Sequence, residues 1–137
     1  MARSTRYNIY LIIKLNNMSF TRIGNIYRVT RITGWIDKFL GIVFADSSEQ
    51  SEQTPEVIEV EMRNSIPNKN PVSKDEVVKQ VLSGLEAFNR AAGTNYKVSK
   101  IFFAPSFEGR SPIFEGLTYS LVGHYHRGGD FREILPQ

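Results

Sequence analysis

The amino-acid sequence predicts an α+β domain, a two-layer sandwich in the order β-β-β-α-β-α with both helices on one face of the sheet. Three observations predict it. Residues 57–62, VIEVEM, alternate apolar and acidic side chains strictly, the period of a half-buried strand. Residues 77–88 and 113–125 instead repeat apolar side chains at three and four, the period of a helix with one buried stripe. Such helices and a sheet with one apolar face bury each other as two layers.

Taken in order, residues 7–15 within the segment 1–17 read either as an extra amino-terminal strand or as a docked arm, and Met18 offers an alternative start. Residues 26–33, IYRVTRIT, and 39–45, FLGIVFA, are rich in β-branched and aromatic side chains and read as a hairpin with a turn across 34–38. Residues 46–56, DSSEQSEQTPE, hold no large apolar anchor and read as a solvated loop within one domain. In VIEVEM the expected buried face is Ile58, Val60 and Met62, in a strand antiparallel to its neighbour.

The first helix is specified at both ends. Ser73 can accept the amide of Glu76 while the Glu76 side chain reaches back to Ser73, with Val72 stapled against Val77. Val77, Val78, Val81, Leu82, Leu85 and Phe88 form its stripe, and Gly93 suits a left-handed cap. Gly84 inside it marks a close approach, expected against the sheet.

In the next strand Tyr96 and Val98 have one parity and Ile101 and Phe103 the other; a β-bulge near Ser99-Lys100 turns both pairs to the core, and otherwise both faces are covered. Ser111 is then the expected cap and Pro112 the first residue of the second helix, whose face carries Ile113, Leu117, Leu121 and Tyr125. Gly128-Gly129 ends it, leaving residues 128–137 as a tail docked through Phe131 and Leu135.

At 137 residues the chain suits one core, and 41% apolar with 23% charged residues is an ordinary globular balance. No cysteine is present, which excludes disulfides, thiolate metal sites and a cysteine nucleophile. The apolar run 9–13 is too short to span a bilayer and, broken by Lys14, departs from a signal peptide, so a cytoplasmic location with no membrane partner is expected. The net charge of +3 is uneven: residues 1–44 hold seven basic residues against Asp37, whereas the remainder is net acidic.

From residue 57 to 125 the succession VIEVEM, the capped helix ending AAGTNYKV, the strand KVSKIFFAP and the helix of IFEGLTYSLV resembles the layout of domain IV of elongation factor G. That domain has the ribosomal protein S5 domain 2-like fold. The likeness covers about half the chain and is carried by the 93–98 link between helix and strand. It implies three strands, helix, strand, helix, and a ribonucleoprotein setting, and it carries over no functional residue. With neither a phosphate loop nor a nucleotide-specificity motif, a translation GTPase is excluded.

Candidate partner-binding residues are Arg22, Arg28, Arg31, Trp35 and Lys38, interleaved with Tyr27 and Phe39, a mixture that stacks bases and neutralises phosphates. Equally, the aromatics are core and the arginines line its rim, and Arg28 and Arg31 have opposite parity, so a regular strand cannot present both on one face. Phe107 and Arg110 in the loop 105–111 add a second contact region ahead of a helix start. His124 and His126, near Asp130, are ligand types for zinc or iron, but on a helix they point about 200° apart, which suits a helix end better than a shared metal.

No nucleophile elbow or paired carboxylates appear, and no cofactor is expected. The expectation is a non-enzymatic interaction module that binds a protein or ribonucleoprotein partner through the basic amino-terminal sheet or the 105–111 loop. Direct RNA binding is the alternative, and a small hydrolase or transferase using His124 and His126 the third reading.

Overall fold

The computed structural model describes residues 18–33, 36–46, 54–60, 72–104 and 112–135. Eight elements follow along the chain: β1 (Met18–Ile23), β2 (Ile26–Thr33), β3 (Ile36–Phe44), β4 (Glu56–Glu59), α1 (Lys74–Ala92), β5 (Val98–Phe103), α2 (Ile113–His126) and β6 (Arg132–Glu133). Among the described residues the strands form one sheet in the order β4-β5-β3-β2-β1-β6. Both helices pack on one face of it, through a core that joins Val29, Leu40, Ile42, Ile101 and Phe103 of the strands to Val77, Val81, Leu85, Leu117 and Leu121 of the helices.

The α+β order is the expected one with two strands added at the edge. The extra amino-terminal strand lies at Met18–Ile23; the 1–17 segment expected to supply it falls outside the described residues. Its signal is the Gly24-Asn25 dipeptide between two β-prone runs. Gly24 has φ +57 and Ile23 pairs with Ile26, a two-residue hairpin that needs glycine at its first central position. The next hairpin is tighter than expected, since β3 already starts at Ile36, which pairs with Thr33. In the tail, Phe131 packs on the core and Arg132–Glu133 add to β1 in parallel, while Leu135, 75% exposed, does not dock.

β4 runs parallel to β5, not antiparallel to its neighbour, because α1 carries the chain back across the sheet before β5 begins. Val57, opposite Ile101, therefore packs on the core, and Ile58, opposite Phe102, takes the other face. Met62 and most of the 46–56 loop lie outside the described residues, and Glu56 already belongs to β4. The bulge in β5 is present: Val43 pairs with Lys100 but Phe44 with Val98, so Ser99 is the extra residue. Its hydroxyl donates to Val43 O (3.3 Å), and Val98, Ile101 and Phe103 all reach the core.

Ser73 Oγ accepts the Glu76 amide at 3.1 Å, but the Glu76 carboxylate turns to Gln80 (3.2 Å), so the box closes on one side only. Gly93 closes α1 with φ +69. Within the expected stripe Leu82 is 40% exposed, and Gln80 and Gly84 are buried instead. Both belong to the seam between the helices. A Cβ at Gly84 would strike the Glu115 carbonyl oxygen, so the close approach is to α2 and not to the sheet. Gln80 Oε1 accepts the Phe114 amide at 3.0 Å, satisfying from α1 a donor that the first turn of α2 leaves open. Pro112 sits one place earlier than expected, before the first helical residue, and Ser111 lies outside the described residues.

Candidate functional site

Alternation on β2 decides where the candidate cations go. Val29 lies in the helix-side core, so Tyr27 and Arg31 share its face while Ile26, Arg28 and Thr30 look away from the helices. Arg28 and Arg31 are thus separated by the sheet. Arg31 meets Lys38 as its cross-strand partner, and its Nε is buried with no hydrogen-bond partner. Burial, then the Arg31 charge, lowers the Lys38 pKa. Arg22 stands opposite Tyr27 near the β6 edge, 3.6 Å from Glu133. Trp35, Phe107 and Arg110 lie outside the described residues. Among the described members of the expected set, only Arg31 and Lys38 are brought together.

Arg28 stands in a different company. Register places Ile58, Phe102, Gly41, Arg28, Thr21 and Arg132 in one row across all six strands on the face away from the helices. Gly41 keeps the row tight: a Cβ there would lie 3.4 Å from both Arg28 Cγ and Phe102 Cβ. The Arg28 guanidinium lies over the Phe39 ring, 5.0 Å from its centroid. Burial lowers its pKa, yet an arginine keeps its charge at neutral pH. Among the described residues no carboxylate pairs with Arg28 or Arg132; Glu56 on this face is engaged by Lys100 at 4.0 Å.

Phe102 and Arg132 were not among the sequence candidates. Phe102 was legible, since Ile101 and Phe103 claim the core and leave the residue between them to the other face. Arg132 was not, because a two-residue strand has no periodicity to read.

The histidine end is occupied by packing. The His124 ring stacks on Phe20 (centroids 3.8 Å apart) and donates from Nε2 to Asp130 O at 2.8 Å, fixing the turn that leads into β6. His126 Nδ1 shares a 2.8 Å hydrogen bond with the Tyr96 hydroxyl. The two imidazoles serve different partners, and no group of three His, Asp or Glu side chains among the described residues could hold a metal ion. The neighbouring cleft is lined by Phe44, Ala45, Asn95, Tyr96 and Lys97, without either imidazole. Tyr125, packed against Tyr27, Phe44 and Tyr96, has its phenol pKa raised by burial first and by Tyr27 and Tyr96 after it.

No family model, curated protein or solved structure matches the chain. Among the described residues, no helix is long and apolar enough to cross a membrane.

Proposed function

We propose that this protein is a cytoplasmic, non-enzymatic interaction module whose partner, a protein or a ribonucleoprotein, meets the sheet face away from the helices. The observation that carries this reading is Arg28. Arg28 is half-buried and no carboxylate among the described residues pairs with it, which is costly unless something else satisfies it, and the Phe39 ring offsets only about 1 kcal/mol. The rest of the row supplies what an interface uses, an aromatic, an arginine and an aliphatic residue around a glycine. The order β4, α1, β5, α2 is the one the resemblance to elongation factor G domain IV implies, and the ribonucleoprotein setting rests on that analogy of element order alone.

Affinity capture from the native cell, with and without ribonuclease, tests the reading. Wild-type protein is expected to retain a defined partner that the double variant Arg28→Glu, Arg132→Glu loses. Equal capture by a folded double variant would remove this face from the function.

A further inference from the structure

We infer that the row across the sheet face away from the helices binds single-stranded nucleic acid, with a base stacked on Phe102 and phosphates held by Arg28 and Arg132. This rests on the proposed use of that face and names the chemistry of its partner.

The spacing supports it first. Neighbouring strands are about 4.8 Å apart, so Phe102 and Arg28, two strands apart, have backbones about 10 Å apart, and so do Arg28 and Arg132. Ring, guanidinium and guanidinium thus follow one line perpendicular to the strands, with the small Gly41 and Thr21 between them. A chain laid along that line meets an aromatic platform and then two anion-binding forks, the combination used for single strands. At Gly41, a Cβ would lie 3.3 Å from Ile26 Cγ2 as well as against Arg28 and Phe102, so any larger side chain would stand between platform and fork.

Charge supports it independently. Arg28 and Arg132 have no carboxylate partner among the described residues, whereas Arg22, Arg90 and Lys100 each have one. Arg31 and Arg127 also lack one, but of these four arginines Arg28 and Arg132 are the two that register puts in the row with Phe102. A duplex hides its base faces and would leave Phe102 unused, and an acidic peptide would engage the arginines alone.

Fluorescence anisotropy with a labelled single-stranded RNA, the same sequence as DNA, and the RNA duplex decides it. Both single strands, or the RNA alone, should bind more tightly than the duplex. Phe102→Leu, which keeps the bulk and loses the ring, should weaken binding about tenfold. Arg28→Gln and Arg132→Gln should each reduce the slope of log affinity against log salt by about 0.7, and Arg90→Gln on α1 should change nothing. Tighter duplex binding, or affinity unchanged by Phe102→Leu and Arg132→Gln in folded protein, overturns the inference. If no oligonucleotide binds but a ribonuclease-resistant protein partner is lost in the Arg28→Glu, Arg132→Glu variant, the nucleic-acid inference falls and the interaction face stands. If neither nucleic acid nor partner depends on these residues, both fall.

Discussion

Replacing Gly84 by alanine should destabilise the protein, although the same change at an open helical position does the reverse. Alanine is favoured over glycine in a helix interior by about 1 kcal/mol. At Gly116, in α2, a Cβ would meet nothing within 4 Å, so Gly116→Ala should realise most of that gain. At Gly84 the new methyl would collide with the Glu115 carbonyl oxygen and lie 3.0 Å from Thr118 Cβ. Backbone cannot rotate aside as a side chain can, so the helices must part along a seam that also holds the Gln80–Phe114 bond (3.0 Å) and the Ser83–Glu115 bond (2.6 Å). Overpacking of this kind costs about 1–3 kcal/mol. Set against the propensity gain of about 1 kcal/mol, Gly84→Ala should end up to about 2 kcal/mol below wild type, a melting temperature lower by up to roughly 8 °C. Urea unfolding followed by helical circular dichroism measures both variants, read as the midpoint at constant m. If Gly84→Ala raises the midpoint as Gly116→Ala does, the close crossing of α1 and α2 is wrong.

Two further substitutions test other joints. Gln80→Met keeps the side-chain length but removes the acceptor for the buried Phe114 amide, and urea unfolding should show a loss of about 1–3 kcal/mol; wild-type stability would mean that water serves that amide equally well. Tyr125, whose raised pKa means that the fold prefers the neutral phenol, contributes stability that is complete below the unfolded value near 10 and is lost as pH climbs through the higher folded value. Unfolding midpoints should therefore fall on the alkaline side of pH 10, and Tyr125→Phe should flatten that fall; an unchanged alkaline slope would contradict the burial of this phenol among Tyr27 and Tyr96.

The helices, the β5 bulge and the separation of Arg28 from Arg31 were legible because each is a local consequence of residue spacing. Ser73 and Gly93 satisfy α1's own backbone, and the two parities on either side of Ser99 reach one core only through an inserted residue. The β1–β2 hairpin was also written locally, in Gly24-Asn25, although β1 itself went unassigned. By itself, then, the sequence determined an α+β sandwich and the faces taken by the residues of β2 and β5, but not those of β4, where Val57 and not Ile58 packs on the core.

Only the tertiary structure decided which strands adjoin and what meets across them. Parallel pairing of β4 with β5 follows from the path of α1, and the two-residue β6 becomes a strand only because β1 offers a free edge. Gln80 caps a helix that begins 33 residues later, and Gly84 is required by a carbonyl on that helix, relations that no local period encodes. The candidate face has the same origin. Parity puts Phe102 and Arg28 on one side of the sheet, but their alignment with Arg132 is a matter of register, set by backbone hydrogen bonds between distant segments.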